Sequence, residues 1–211
     1  ILSLNKSNPL KITYLNQHCF NIYFEDTLYK KLVEDKFEIF IDGFGMIKAY
    51  NFLMNKETRL FNATDLYTRL IDYLSKKSIP IFIIGGNFEE NIINSDRILS
   101  NIVRGYQNGF GIENKLNGIV ENIINSNAKI IICGMGVPLQ EKIVEKLSVS
   151  LENKIFICVG NFFEFYFGTI KRIPYPFRNK GIEWIYRIAK EPQRLWKRYI
   201  FGIPLFIFHV F

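Results

Sequence analysis

Asp42 is the residue in this sequence that is best placed to do chemistry. It directly follows the apolar run FEIFI at 37–41 and precedes the glycines Gly43 and Gly45. A partly desolvated carboxylate at the carboxyl end of a strand can accept a proton from a hydroxyl group as that hydroxyl attacks another molecule. The same spacing also suits a helix N-cap or an Asp-Gly turn, and these interpretations stand beside the catalytic one.

Asp42 belongs to one of four apolar, Ile-rich runs that end in glycine. These runs occupy 37–45, 80–86, 129–136 and 154–161, with helical stretches between them. Continuous apolar strands indicate a mostly parallel sheet that helices cover on both faces. Glycine at the carboxyl ends allows a ligand to approach the backbone, so four such ends favour a nucleotide-type crevice over simple turns. Neither G-x-G-x-x-G nor a phosphate-loop motif accompanies them.

The sequence between and before these runs predicts one more strand and a set of helices. The strand lies at 11–16, and the glycine-spaced segment 105–111 is expected to be a loop. The apolar spacing predicts helices at 17–35, at 46–78 with a break near 55–64, and at 89–103, 114–126 and 139–150.

Other polar side chains near these strand ends are candidates for ligand contact, each with a structural alternative. Asp65, in the stretch Asn-Ala-Thr-Asp-Leu at 62–66, suits a helix cap better than a base. Glu141, just inside a helix, suits the helix dipole, whereas Gln140 has no such reason and could contact a base edge or a ribose. Glu164 follows the fourth strand and could accept a hydrogen bond from a ribose, or be a solvated surface residue.

The excess positive charge is confined to the end of the chain. The protein has a net charge of +7, and the segment 169–211 alone holds nine Lys/Arg against two Glu, which leaves 1–168 neutral. Arg194 and Arg198 are one helical turn apart with Lys197 beside them, a pattern that suits phosphate oxygens. Interleaved aromatics are typical of a membrane interface, although an amphipathic helix with a solvated basic face explains the same pattern. We therefore predict a body and a basic, helical C-terminal appendage.

Several function classes have no matching motif in this sequence. His18 and His209 are too few for a metal cluster, and no Asp-x-Asp could hold a metal on a diphosphate. The G-x-S-x-G of serine hydrolases is also missing. No apolar run reaches the roughly 18–20 residues of a membrane-spanning helix, and the first residues lack a signal-peptide pattern. Three cysteines, an odd number, fit reduced thiols in a cytoplasmic protein.

A series of short motifs extends over most of the chain. In the body they are Leu-Asn at 15–16, Asp-Gly-Phe-Gly at 42–45, the stretch 62–66 and Gly-x-Pro-x-Gln-Glu at 136–141. In the appendage they are Lys-Arg-x-Pro at 171–174, Gly-x-Glu-Trp-x-Tyr-Arg at 181–187, Glu-Pro-x-Arg at 191–194 and Arg-Tyr at 198–199. In their order and spacing, these motifs resemble the WecG/TagA/CpsF glycosyltransferases, which form glycosyltransferase family 26.

The resemblance implies a Rossmann-like α/β fold and a particular reaction. The family transfers a hexose or N-acetylhexosamine, such as N-acetylmannosamine, from a UDP-sugar to a sugar on a membrane-embedded polyprenyl diphosphate. The transfer inverts the anomeric centre and requires no metal, so the resemblance implies no cofactor besides the UDP-sugar substrate. It also implies a role in cell-surface polysaccharide or teichoic acid synthesis, at the inner face of the cytoplasmic membrane.

The resemblance also implies roles for single residues. Asp42 takes the position of the general base and Asn16 that of a nearby polar residue, while Arg187 and Arg194 complete the site over the diphosphate. The residues assigned to substrate binding are Arg59, Thr64, Asp65, Phe110, Gln140, Glu141, Glu164, Lys197 and Arg198.

Within that set, Phe110, Gln140 and Glu164 fall where the family contacts uridine and its ribose. The chain departs from the common family pattern at Tyr14 and Asn161, among other positions.

Two alternatives stand beside an active transferase. A nucleic-acid-binding module would explain the charge and the aromatics. However, its charge would be confined to one segment, and the strand-edge carboxylates would repel phosphate, so we expect no nucleic acid partner. A Rossmann-like interaction protein that has lost activity is the other alternative, and the formation of a homo-oligomer is open. For the transferase, we expect the appendage to serve as both a lid and a membrane contact that becomes ordered with its substrate.

Overall fold

A computed structural model describes residues 9–58, 62–86, 88–174, 177–178 and 181–211 of the 211-residue chain. These residues form an α/β fold around a six-stranded, all-parallel sheet with the order β2-β1-β6-β5-β3-β4. The predicted Rossmann-like fold is confirmed. The strands are β1 (Leu10–Leu15), β2 (Glu38–Ile41), β3 (Ile81–Gly85), β4 (Val103–Gln107), β5 (Ile130–Gly134) and β6 (Ile155–Cys158).

Helices cover both faces of this sheet and form the end of the chain. In the described part of the body there are nine: α1 (Gln17–Glu25), α2 (Thr27–Lys36), α3 (Phe44–Met54), α4 (Ala63–Lys76), α5 (Glu90–Ser95), α6 (Leu99–Ile102), α7 (Leu116–Asn125), α8 (Leu139–Ser148) and α9 (Phe162–Tyr166). A 3-10 helix at Ile112–Asn114 precedes α7. The appendage contributes α10 (Glu183–Lys190), α11 (Pro192–Ile200) and α12 (Gly202–Val210).

The central strands are the most apolar because side chains cover both of their faces. Every residue of β3 (IFIIG) and of β5 (IIICG) is buried, as expected for parallel strands between two helical layers. One core cluster includes Val33 of α2 and Ile123 of α7, and a second includes Ile71 of α4 and Leu99 of α6. The three cysteines are free and buried, as predicted for thiols of the core.

Three of the predicted elements differ from the structure. The predicted helix at 89–103 is two short helices, α5 and α6. Residues 103–107, predicted as the end of a helix and the start of a loop, form the edge strand β4, which pairs with β3. Its sequence, VRGYQ, lacks a run of β-branched residues, so pairing and packing rather than intrinsic preference define it. The predicted helix at 17–35 is two helices, because Asp26 ends α1 and caps α2 by accepting the Tyr29 N–H at 2.9 Å.

The appendage is docked on the body. Phe206 of α12 is buried in a cluster with Leu15, Cys19 and Met46. The side-chain amide of Asn21 on α1 donates to the carbonyl of Gly202 at 2.8 Å. These contacts hold α12 against α1.

Within the described part of the chain, we find no helix whose length and apolar character would let it cross a membrane.

Candidate active site

Two cavities meet at the carboxyl edge of the sheet, around Asp42. The larger has a volume of about 140 Å³ and the smaller of about 90 Å³. Four side chains line both cavities, namely Asn16, Asp42, Arg187 and Arg198. Two of these follow neighbouring strands of the body and two come from the appendage, so the site is formed by both parts of the chain.

The pairing of β1 with β2 places Asn16 and Asp42 side by side. Leu15 and Ile41 are partners in the parallel register, and each of the two polar residues follows directly. The Asp42 N–H donates to the carbonyl of Leu15 at 2.9 Å, which continues the ladder one residue beyond β2. The predicted neighbourhood of these two polar residues is therefore present in the structure.

The Asp42 carboxylate has a raised affinity for protons. Burial raises its pKa from 3.8 to about 6, and nearby Glu183 acts in the same direction. The hydrogen bond from the Ala63 N–H and the positive charges of Arg187 and Arg198 lower it, but burial dominates. A carboxylate with this pKa is ionised above pH 6 and is more basic than a solvated aspartate, which suits a general base.

Asn16 caps α1 at the edge of the site. Its side-chain oxygen accepts hydrogen bonds from the backbone N–H groups of His18 at 3.0 Å and Cys19 at 3.1 Å. This bonding uses the oxygen for the helix, and Asn16 also lines both cavities. Asn16 thus fixes the start of α1 next to Asp42 and offers donors to a ligand.

Arg187 and Arg198 bring positive charge to the two cavities. The Arg187 guanidinium lies 5.3 Å from the ring centroid of Phe165, and among the described residues its Nε has no hydrogen-bond partner. Arg198 lies on α11, half-buried beside the cavities. Their donors are placed where an anionic group entering either cavity would meet them.

The other predicted cations of the appendage lie outside both cavities. Arg194 is exposed, and its Nε donates to the Glu191 carboxylate at 2.7 Å. The Lys197 ammonium is exposed and lies 5.5 Å from the ring centroid of Trp196. In this arrangement Arg198, rather than Arg194, stands beside Arg187 in the site, because only every third or fourth residue of α11 faces the body.

Gln140 and Glu141 are enclosed in the protein interior, which is at odds with the predicted donor contact. Both have no exposed surface. The Gln140 amide donates to Glu141 at 2.8 Å and accepts the Gly160 N–H at 3.0 Å, and Thr13 donates to Glu141 at 2.6 Å. Burial raises the pKa of Glu141. These two residues hold the loop after β6, which leads into Asn161 at the smaller cavity.

Of the predicted residues at the start of α4, one lines a cavity and another binds the first part of the appendage. Thr64 lines the smaller cavity. Asp65 instead forms an ion pair with Arg172 at 2.6 Å, and Arg172 also donates to Asn62, the N-cap of α4, at 3.3 Å. Arg172 thus clamps the start of the appendage to the body. Arg59 lies outside the described residues.

The remaining two predicted donor contacts are not part of either cavity lining. Phe110 is 71% exposed in the loop after β4, at the far edge of the sheet from β1 and β2. Glu164 is half-buried in α9. Its neighbour Phe165 lines the smaller cavity.

The larger cavity contains side chains that the sequence alone did not single out as site residues. They are His18, Glu183, Trp184 and Tyr199. Burial and the neighbouring Arg198 lower the pKa of His18 to about 4, so it is a neutral donor and acceptor at physiological pH. In the sequence, only the position of His18, two residues after Asn16 at the start of a helix, indicated that it could lie in the site.

Gly43 lines the larger cavity, whereas Gly85 at the end of β3 is packed closely against β5. Gly43 has a φ of +87°, and a Cβ added there would meet nothing within 4 Å, so its backbone is open to a ligand. A Cβ at Gly85 would instead collide with the carbonyl of Gly134. The prediction that a ligand approaches the backbone at these glycines therefore fits Gly43 after β2 and does not fit Gly85 of β3.

In the described ranges, no three His, Cys, Asp or Glu side chains come together in a way that could hold a metal ion.

The sequence was compared with models of known protein families. The model of the glycosyl transferase WecG/TagA/CpsF family matches residues 2–211, essentially the whole chain. The protein belongs to the WecG/TagA/CpsF family. Membership in this glycosyltransferase family supports a role in glycosyl transfer, with a sugar donor and an acceptor as its substrates. The two cavities at Asp42 are lined by this carboxylate and by two arginines of the appendage.

Proposed function

We propose that this WecG/TagA/CpsF family member transfers a hexose or N-acetylhexosamine from a UDP-sugar to a sugar carried on a polyprenyl diphosphate, with inversion and without a metal. The observation that carries the proposal is the position of Asp42. Its carboxylate, with a pKa of about 6, lies where two cavities meet and where two appendage arginines also lie. Transfer between two substrates requires such a junction, because the attacking hydroxyl and the anomeric carbon must come within bonding distance.

In the proposed step, Asp42 acts as the general base. Its carboxylate accepts the proton of the acceptor hydroxyl while the hydroxyl oxygen attacks the anomeric carbon of the donor sugar. The bond between that carbon and the β-phosphate oxygen breaks, and its electron pair leaves with UDP. One attack from the face opposite the leaving group inverts the anomeric configuration, and Asp42 then releases the proton to solvent.

The leaving diphosphate is stabilised by positive groups of the protein. Arg187 and Arg198 line both cavities and supply guanidinium donors. Helices α1 and α3 both begin at the larger cavity. Helix α3 has no side-chain cap, because its N-cap is Gly43. Free backbone N–H groups at a helix start attract anions and add to the charge of the arginines.

The two cavities suit different substrates. The smaller is lined by the start of α4, by Asn161 and by the loop after β6, which is the part of the sheet edge where this fold class binds nucleotides. The larger is lined by the indole of Trp184 and the ring of Tyr199, whose centroids are 6.0 Å apart. Aromatic faces of this kind bind the apolar faces of sugar rings. We therefore assign the donor to the smaller cavity and the acceptor sugar to the larger.

The proposal includes a location at the inner face of the cytoplasmic membrane, where a polyprenyl diphosphate resides. The basic and aromatic appendage would make the contact, and its cations would favour an anionic surface over a neutral one. Cell-surface polysaccharide or teichoic acid synthesis is the corresponding process. An interaction protein without activity is the competing proposal, and the assay below separates the two.

The test is a screen of UDP-sugars with a short-chain polyprenyl-diphosphate-sugar acceptor, read by UDP release and by the mass of the lipid product. We expect one UDP-sugar to release UDP only when the acceptor is present. An interaction protein would release no UDP with any donor and acceptor pair. A matched series in the presence of EDTA tests whether the transfer needs a metal, and we expect the same rate with and without the chelator.

A further inference from the structure

We propose that the body itself contacts the membrane, through an apolar tip formed by the far ends of α3 and α12. The apolar tip consists of Phe52, Leu53 and Met54 of α3 together with Phe208 and Phe211 at the end of the chain. This inference rests on the proposed function, because it assigns the membrane contact to a surface that includes the body as well as the appendage.

Helices α3 and α12 both run from the candidate active site to the apolar tip. Helix α3 begins at Gly43 and Phe44, and α12 begins at Gly202 and Ile203; all four residues line the larger cavity. The two helices then meet again at their other ends, where the rings of Phe52 and Phe211 are 5.2 Å apart at 65°. Two helices therefore lead from the candidate active site to one surface.

The end of α3 at this surface is exposed to solvent. The buried residues of α3 are Met46 and Ile47, both in its first turn. At its other end Phe52, Leu53 and Met54 are 67%, 57% and 52% exposed. Three consecutive large apolar side chains in water are unfavourable, since each loses the stabilisation that burial would give it.

The chain fixes the apolar tip in this exposed position. The Asn51 side chain accepts hydrogen bonds from the backbone N–H of Thr58 at 3.1 Å and from its hydroxyl at 2.6 Å. Asn55 ends α3 in the left-handed conformation and sends the chain back. The polar side chains of Asn51 and Thr58 are therefore bonded to each other, while the apolar side chains of the tip are exposed.

The end of the chain extends the same surface. Phe208 is 78% exposed and Phe211 is 76% exposed, and they lie one helical turn apart. Phe206 on another side of α12 is buried against the body, which fixes the orientation of the helix. The exposed ring of Phe211, directly after α12, thus lies beside Phe52 at the exposed end of α3.

The charge around the apolar tip favours an anionic lipid surface. Residues 43–56 contain two lysines, Lys48 and Lys56, and no Asp or Glu. Residues 192–211 likewise contain no acidic residue and hold three Lys/Arg. Large apolar side chains flanked by cations are the composition of surfaces that enter the interface of anionic bilayers. A protein partner of neutral or basic character would not match this charge.

The inferred contact also sets the distance between the membrane surface and the candidate active site at Asp42. An α-helix rises about 1.5 Å per residue, so the 11 residues of α3 span roughly 16 Å. With the tip in the bilayer interface, the Asp42 end of α3 would face a sugar that extends from the membrane on its diphosphate.

The test compares two double variants of the full chain. Phe52→Ser with Leu53→Ser removes exposed apolar surface from the tip, and Ile124→Ser with Val149→Ser removes exposed apolar surface from α7 and the end of α8 as the control. Both are assayed by co-sedimentation with vesicles of phosphatidylcholine alone and of phosphatidylcholine with phosphatidylglycerol. We expect the tip variant to lose about tenfold in affinity for the anionic vesicles, and the control to bind like the native chain.

Two outcomes would overturn the inference. The first is equal vesicle binding by the tip variant and the native chain. The second is a shift from dimer to monomer in sedimentation velocity with the tip variant, which would make a second copy of the chain the occupant. UDP release with a water-soluble acceptor separates this inference from the proposed function. Vesicle binding that depends on Phe52 in a protein without transferase activity would support the membrane contact and refute the reaction.

Discussion

The Asp42 carboxylate accepts a hydrogen bond from the backbone N–H of Ala63 at 2.9 Å, which ties the candidate base to the first turn of α4. The bond stabilises the charged form, whereas burial destabilises it, and burial has the larger effect on the pKa. Asp42 is thus held in a fixed orientation and remains more basic than a solvated carboxylate. Orientation and basicity together are what a general base requires.

We predict that transferase activity follows the ionisation of Asp42. Because its pKa is about 6, kcat/KM should be nearly constant above pH 7 and should fall about tenfold per unit of pH below 6. Rates of UDP release between pH 5 and pH 8 measure this profile. A profile that is flat down to pH 5, in a protein that remains folded, would exclude Asp42 as the base.

We predict that Asp42→Asn stabilises the fold at alkaline pH. The folded pKa of about 6 exceeds the ordinary 3.8, so the stabilising contribution of Asp42 is present below pH 3.8 and is lost as the pH rises through 6. Asparagine is never ionised and keeps an oxygen for the Ala63 N–H. The free energy of unfolding in urea at pH 8 should therefore rise by about 1–3 kcal/mol, and much less at pH 4. Equal effects at the two pH values would contradict the assigned pKa.

The arginines of α11 should differ in their importance. We expect Arg198→Ala to lower kcat by about 10²–10³, because its guanidinium faces both cavities. Arg194→Ala, on the same helix, should change kcat by less than about threefold, since it removes only an exposed ion pair with Glu191. Steady-state kinetics of the two variants give the comparison. If Arg194→Ala lowered kcat more than Arg198→Ala, the role that the family resemblance implies for Arg194 would be the better account.

Gln140 should act on the structure of the site and not on the donor directly. Gln140→Leu leaves the buried Gly160 N–H without its acceptor, so the free energy of unfolding should fall by about 1–3 kcal/mol. Gln193→Leu, on the exposed face of α11, is the control and should leave stability unchanged. Urea unfolding measures both. If Gln140→Leu kept full stability and only raised KM for the donor, direct contact would be the better account.

The sequence predicted those parts of the fold that depend on local pattern. Continuous apolar runs such as IFIIG in β3 define central parallel strands, and Asp42 and Asn16 follow two of the strands directly. The edge strand β4 could not be predicted in this way, because VRGYQ has no apolar pattern and depends on pairing with β3. Strands of this kind form through long-range contacts that a local pattern does not contain.

The site was predictable where residues follow strands and less so where helices orient them. Gln140 and Arg194 were assigned to the ligand from motif position, but the rotation of α8 and α11 places one in the core and the other in solvent. His18 and Tyr199 reach the larger cavity through packing of α1 and α11, which no spacing in the sequence expresses. Distances along the chain do not determine which face of a helix meets the site.

The most direct test of the proposed function is the rate of UDP release by Asp42→Asn with the lipid-linked acceptor. Asp35→Asn, an exposed carboxylate at the end of α2, serves as the matched control. We predict that Asp42→Asn is at least about 10²-fold slower than the native chain, while the control has the native rate. A rate for Asp42→Asn within about threefold of the native rate would contradict its assignment as the base.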